Sequence, residues 1–538
     1  MDEPLPEPRP GFFQRKTTRR AVLGGAAAVA AGGTAVAVLG LATGTGADSG
    51  PNKAVLPGVS ADPTKAAEAD AARPIEDPRM RAAHLLRRVA WGGTKAQIDE
   101  FASLSAEEAA DRLLNFETVD NAALDARIAA ANFNLTTPGR GLDKKRPPLN
   151  RDMQRWWLTR MSYSARPLEE RMTYIWHGLL TTQLSQIGGQ RGKMMVAQNE
   201  LFRAHALARY DDLLQAVSKD PAMMIYLNTI ESTKAHPNEN YPREIMELFS
   251  MGEGNYTEDD VRESARAFTG WRLTPPSRER PPEGLSQAER QEFLDQLYGA
   301  YEPKWRFSAA DHDNGQKTFL GKTGNFDGTD IVAIIMEQPA TGRFITKRLF
   351  KEFAYADPSD ETLGKLVDVW NSSQHDIKAV LRAIITSPEF YSMRAYRGRV
   401  RSPIEFIVGA VRGLELENDF LQFEQPARAM DQRLFEPPNV AGWPGGEAWL
   451  SSGTFFGRVN FADAFLRKGN KPVAVPALAA YTSAEDLVQG ALDRLVDGNV
   501  SDEAREAITS HVASVANPQE RAVTAAYLVL TSPEYQLL

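Results

Sequence analysis

Ten residues, Asn238 to Glu247, hold two amides, three carboxylates and a guanidinium. Short amides and carboxylates grouped before Pro242 make an oxygen-rich corner, suited to a hard cation or a substrate hydroxyl. Glu239, Glu244 and Glu247 are the candidate catalytic carboxylates, with Glu244 or Glu247 as general base or oxygen ligand. Arg243 would orient a carboxylate or stabilise anionic charge, and Asn238 and Asn240 would bind. A solvated, ion-paired helix face would carry the same residue types.

Local geometry must place these groups. Pro242 suits the first turn of a helix, where its missing N–H costs little. The spacing predicts a helix over 243–250, with Ile245, Met246, Leu248 and Phe249 on one arc and Arg243, Glu244, Glu247 and Ser250 on the other. Arg243 and Glu247 are four apart and can pair. A second helix follows, with Thr257 as N-cap and Asp260 at the capping-box distance. Its charged face offers Glu258 or Asp259 to Arg262, and Arg266 is a further binding candidate. Gly270 marks its stop.

Two histidines widen the list. In the helix expected from Pro167, Glu170, Tyr174 and His177 line up away from the apolar stripe of Leu168, Met172, Ile175, Trp176 and Leu179. A carboxylate and an imidazole on one face could bind a metal or move a proton; a surface histidine or a structural hydrogen bond is the plain alternative. Asp311-His312-Asp313-Asn314-Gly315 is not an EF-hand, because Gly315 stands at a ligand position and Lys322 at position twelve. His312 and Asp313 could still join Glu239 or Glu244 in space. A divalent metal held by His177, His312 and Asp313 is therefore one expectation. Gly321-Lys322-Thr323 fails the P-loop spacing by one residue. Trp443 and Trp449 lie in a Gly/Pro loop, where Trp443 could stack on a ligand or pack over the core. The serines show no nucleophile-elbow pattern.

Several segments together resemble the bacterial domain of unknown function 1800 family. They are Asp220-Pro221-Ala222-Met223-Met224, Asn238-Glu239-Asn240 through Glu247-Leu248-Phe249, and Tyr256-Thr257-Glu258 through Thr269-Gly270-Trp271. Pro167-Leu168-Glu169-Glu170-Arg171-Met172 with Trp176-His177, and His312-Asp313 with Lys317-Thr318-Phe319-Leu320-Gly321, extend the likeness. So do Ser402-Pro403-Ile404-Glu405 and Pro437-Pro438-Asn439-Val440-Ala441-Gly442-Trp443-Pro444. The likeness runs from about Arg81 to the C-terminus. It implies a mainly helical, exported protein, often encoded beside sulfatase-like proteins of the domain of unknown function 1501 family, and no settled activity. At Pro242 the family usually carries a small residue such as alanine, so the helix here could begin differently.

The chain has 538 residues, 25% of them charged and 42% hydrophobic, as in ordinary globular proteins. Its net charge is −8. Residues 1–47 hold five basic and three acidic residues, so the remainder is more acidic still, which argues against a general nucleic-acid partner. Thr18-Arg19-Arg20-Ala21-Val22-Leu23 resembles the twin-arginine export motif, and a charge-free run follows from Ala21 to Ala47. We read 1–47 as a signal that meets the membrane only in transit, leading to the periplasm, envelope or exterior. There is no cysteine, which excludes thiolate catalysis, cysteine-bound zinc, iron–sulfur clusters and disulfides.

The organisation follows from composition. Residues 48–77 read as a mobile Pro/Ala/Asp-rich linker, 78–470 as a helical core with a surface insertion at 274–303, and 471–538 as a C-terminal helical extension packed on it. The fold class is mainly α, a multi-helical globular domain with a small β-hairpin from Trp305-Arg306-Phe307 and Lys317-Thr318-Phe319-Leu320. Residues 381–390 are echoed at 526–535, each ending in Thr-Ser-Pro-Glu and an aromatic. Two functions fit: an exported, metal-assisted hydrolase or envelope-processing protein, or a non-catalytic scaffold or binding protein acting with the sulfatase-like partner. The export reading predicts that Arg19→Lys with Arg20→Lys leaves a fused reporter in the cytoplasm. Fractionation checks this, and unchanged export would refute it.

Overall fold

The computed structural model describes residues 71–135, 149–187, 192–275, 279–469 and 471–538. The signal segment and most of the linker lie outside these. The linker's end is not loose: Ile75 is buried and its N–H donates to the Tyr391 carbonyl at 2.8 Å, while the carbonyls of Arg73 and Ala71 accept from Met393 and Arg394. The described residues all fall within one compact unit. Among the described residues no helix is long and apolar enough to cross a membrane.

The fold is mainly α, with only two-stranded antiparallel sheets. Several of its helices start where the sequence supplies caps. Asp77 accepts from the N–H groups of Arg79 and Met80 ahead of the Pro78–Ala90 helix. Thr257 with Asp260 closes a capping box on the Glu258–Ala267 helix, and Ser402 with Glu405 does the same for Pro403–Leu414. Helices expected near 151–164, 167–180, 341–353 and 361–371 occur at Leu149–Tyr163, Pro167–Leu179, Pro339–Phe353 and Asp360–Ser372.

Two hydrophobic clusters form the core. One joins the helices near the start, Pro78–Ala90 to Ala106–Leu114, with the middle helices from Tyr210–Ser218 to Ile377–Ile385. The other joins Leu149–Tyr163 with Pro403–Leu414, Ala484–Leu495 and Pro518–Leu530. Tyr174 and Tyr226 pack against both. The boundary expected after residue 470 falls between the paired strands Arg467–Lys468 and Lys471–Pro472.

The echo in the sequence is an echo in structure. Thr386 and Thr531 each end a helix and return their hydroxyls to the carbonyl four residues back at 2.9 Å. Ser387 and Ser532 then accept from the N–H groups of the buried aromatics Phe390 and Tyr535.

The expected hairpin needs correction. Trp305–Phe307 pairs with Trp271–Leu273, and Lys317–Phe319 pairs with Lys322–Gly324. Leu320 and Gly321 both take positive φ, 46° and 78°, which is the turn that folds a strand straight back on itself. Trp305–Phe307 instead closes the base of the 274–303 excursion, whose Gln287–Ala300 helix lies between the paired strands.

Gly270 sets the joint between the second motif helix and this β region. It has φ +81°, and an added Cβ would lie 2.5 Å from the Ser308 carbonyl and 3.1 Å from His312 Cβ. Gly270→Ala combines left-handed strain with a backbone clash. We expect a loss of about 2–4 kcal/mol in urea unfolding; a loss below about 0.5 kcal/mol would contradict this account of the joint.

Candidate functional site

The motif corner begins with an Asx turn. Asn238 Oδ1 accepts the Asn240 N–H at 2.9 Å, and the Asn238 N–H donates to Ser232 Oγ at 3.1 Å. The helix runs Asn240–Glu247, three residues earlier than expected at each end, so Pro242 sits third, still within the turn whose N–H groups lack helical partners. Tyr241, Ile245, Met246 and Phe249 are buried; the Tyr241 hydroxyl meets Ser218 Oγ, and Tyr210 donates to the Phe249 carbonyl at 2.6 Å. The helix is thereby nailed down from its inner face, while Glu239 and Asn240 stay exposed.

Electrostatics then separates the three carboxylates. Arg243 does not pair with Glu247. It grips Glu258 of the next helix through both oxygens, at 2.7 and 2.8 Å, and reaches Glu239 at 3.6 Å. Arg262 likewise pairs with Asp259, not Glu258. Glu247 accepts from the Tyr256 hydroxyl at 2.6 Å. Glu244 is half-buried and engages no cation and no hydrogen-bond donor among the described residues. Burial pushes its pKa up to about 7, Glu247 adds to the shift and Arg243 opposes it. Tyr226, raised to about 12 by burial, feels the Glu244 charge as well.

His312 and Asp313 form a separate, self-satisfied turn. His312 is buried and its Nδ1 lies 2.9 Å from the Thr269 carbonyl, which makes that nitrogen the donor. Arg266 binds Asp313 at 2.7 Å and Glu263 at 2.8 Å, holding the Asp313 carboxyl below the usual range. The oxygen-rich loop is already filled by a cation of the chain. Lys317 is buried, and its Nζ donates to the carbonyls of Asp313 at 2.6 Å and Gly315 at 3.1 Å.

His177 was expected on a polar helix face; it is 1% exposed. Trp157, Phe202, Phe435 and Trp443 surround it with ring centroids 5.3 to 6.4 Å away. Burial drives its pKa down to about 3, so the imidazole is neutral, and Nε2 has no partner. Glu170 is turned from His177 to Arg160 and Arg203, both at 2.8 Å, because this helix is covered on every side. Trp443 lies 5.7 Å from His177, and Gly442, at φ +82°, lets its loop pass against the Gly178 carbonyl.

The expected convergence is therefore partial. His177 meets Trp443, and Arg266 meets Asp313, but the rings around His177 and the partners of His312 belong to different elements. Among the described residues no group of three or more His, Asp or Glu could hold a metal ion. His177, His312 and Asp313 do not fit a shared divalent cation, since one is walled by aromatics and the others are engaged by Thr269 and Arg266. A cleft of about 1000 Å³ opens elsewhere, between Phe420, Phe423, Phe461, Phe465, Arg127 and Arg467. The sequence reading missed it, because its walls come from segments without a motif. It also missed Asp220, buried, N-capping the Pro221–Tyr226 helix and raised to about 7 by burial; the Asp-Pro pair was the signal available.

The fold and the motif corner are those of a predominantly α-helical protein. The family described as "Protein of unknown function (DUF1800)" matches residues 84–537, and the chain belongs to it. No curated protein and no solved structure matches the chain.

Glu244 yields a signed prediction. Its folded pKa stands above the unfolded value, so its contribution is fully present below about pH 4.5 and is lost as pH rises through about 7. Glu244→Gln should raise Tm over wild type at pH 8 and bring the two curves together near pH 4.5. Thermal melts across this range check it; a pH-independent difference would refute the raised pKa.

Proposed function

We propose that this protein acts after twin-arginine export, in the periplasm, envelope or exterior, as a hydrolase or envelope-processing protein in which Glu244 moves the proton. One observation carries the reading. Of the motif carboxylates, Glu244 alone combines partial burial with no ion pair and no hydrogen-bond donor among the described residues, while Glu239 and Glu247 are engaged by Arg243 and Tyr256. A carboxyl that titrates near neutrality can serve as acid in one step and base in the next. Arg243 fixes the corner by tying its helix to Glu258. Asn240, exposed beside it, is the group placed to meet a substrate hydroxyl.

A second reading has its own support. Arg243, Arg266 and Lys317 are all satisfied within the chain, as in a rigid scaffold. Phe456 is 65% exposed, a hydrophobic contact point for a partner such as the sulfatase-like protein.

One experiment separates them. Mature protein is offered ester, amide, glycoside and sulfate-ester model substrates between pH 5 and 9. The enzyme reading expects turnover with a pH limb near 7, reduced about 100-fold or more in Glu244→Gln and little changed in Glu239→Gln. No turnover, together with co-purification of the sulfatase-like protein, would favour the scaffold; full activity in Glu244→Gln would remove Glu244 from the mechanism.

A further inference from the structure

Two motif segments have no part in the reading above: the one that carries Arg171 and the one that carries Glu405. They meet at the seam between the hydrophobic clusters. Arg171 and Glu405 are 0% and 2% exposed, and Arg171 Nη2 lies 2.5 Å from Glu405 Oε1. Arg399 reaches the same oxygen. The other oxygen accepts the Ser402 N–H at 2.6 Å, closing the capping box. Arg88 stands beside this group, fully buried, and its one hydrogen bond among the described residues goes to the Ala395 carbonyl.

The charges do not balance. Arg87 is neutralised by Asp497, and Glu352 is shared between Arg348 and Arg399 at 3.8 and 3.6 Å. Arg88, Arg171, Arg348 and Arg399 thus share only Glu352 and Glu405, a surplus of two positive charges. Arg401 and Arg458 also feel the Glu405 charge, so they add to the excess. The hydrogen bonding is equally incomplete. Arg88 Nε and Nη1, Arg171 Nε and Nη1, and Arg399 Nε are all buried without an acceptor among the described residues.

Such a cluster has no internal remedy. A lysine or histidine in this place would release its proton, whereas a guanidinium stays charged. An uncompensated buried charge costs several kcal/mol, and each unmet donor adds to that. Burial and the neighbouring arginines all act against the charge on Arg88. Trp91 covers one face of Arg171, with its ring 4.6 Å from the guanidinium carbon, which leaves the edges of the fork as the donors. Edge-on guanidinium donors match the geometry of an oxyanion.

We propose that the Arg88–Arg171–Arg399 cluster is a binding site for a small inorganic dianion of the sulfate or hydrogen-phosphate class. The dianion supplies the two missing charges and accepts from the five unmet donors. It ties the Pro78–Ala90 helix to the Pro167–Leu179 helix, both in the first cluster, and through Glu405 to the Pro403–Leu414 helix of the second.

The test uses the mature protein, exchanged into chloride buffer free of oxyanions and melted with added sodium sulfate or sodium phosphate at constant ionic strength. The expected result is a saturable rise in Tm of about 2–5 °C at a hundredfold excess over Kd, with one site by calorimetry. Chloride in the same range should give no saturable rise. Ion chromatography of denatured protein that has not been exchanged should show about one oxyanion per chain. Arg88→Met distinguishes a ligand site from a structural ion pair. Without oxyanion it should melt at or above wild type, because a buried charge has gone; with saturating sulfate it should melt below wild type. Arg88→Lys, the second variant, keeps the aliphatic stem but loses the guanidinium fork and can shed its proton, and should weaken sulfate binding at least tenfold. A Tm indifferent to both oxyanions with none released on denaturation, or an Arg88→Met variant equally destabilised with and without sulfate, would overturn the proposal.

Discussion

The structure of the motif region hangs on a contact of backbone with backbone at Gly270. The left-handed turn there sends the chain from the Glu258–Ala267 helix into the Trp271–Leu273 strand and brings its Cα against the Ser308 carbonyl. The Gly270 carbonyl in turn accepts the Ser308 N–H at 2.8 Å, and the Gly270 N–H donates to the Ser232 carbonyl. Ser232 also accepts the Asn238 N–H through its hydroxyl. One glycine thus holds the His312 turn, the second motif helix and the entry to the first in fixed relation. A side chain at this position would push all three apart.

Charge organisation follows from that frame. Once the two motif helices are set side by side, Arg243 meets the outer carboxylate Glu258 more squarely than anything on its own helix. The same logic operates around Arg266, which reaches across to Asp313. Lys317 places an ammonium where an oxygen-rich loop would otherwise invite a metal. These pairs are half-exposed, so each adds little to stability, and their effect is to orient groups. What they leave over is informative. Glu244 faces a half-buried place with no cation assigned to it.

Local signals were legible and non-local ones were not. The capping box at Thr257 and Asp260 could be read because its bonds span three residues. The strand at Trp305 could be read from its residue types, but its partner could not, since pairing with Trp271 depends on the Gly270 turn more than thirty residues earlier. The helical wheel misled at His177. A wheel assigns polar residues to water, yet the Pro167–Leu179 helix buries Glu170, Arg171 and His177 together with its apolar stripe. Ion pairs and aromatic rings from distant segments make that possible, and no spacing rule within the helix announces them. The partner of Arg243 was missed for a similar reason: sequence spacing proposes neighbours along one helix, whereas the crossing of two helices decides the contact.

Burial alone does not make a carboxyl chemically useful. Asp220 and Glu244 are both raised to about 7, and in both the first cause is loss of water. Asp220, however, is 4% exposed and already accepts from the Met223 N–H and from Gln198 Nε2 at 2.9 and 2.7 Å. Its lone pairs hold a helix in place, and a proton on it would meet no substrate. Glu244 has the same shift without those partners, and it keeps an open side. The neighbouring Glu247 sustains the shift by its charge, and Tyr256 holds Glu247 where that charge is felt. The arrangement that distinguishes Glu244 is therefore a pair: one carboxylate anchored by a hydroxyl, the other unanchored and poised to take up or release a proton near neutrality.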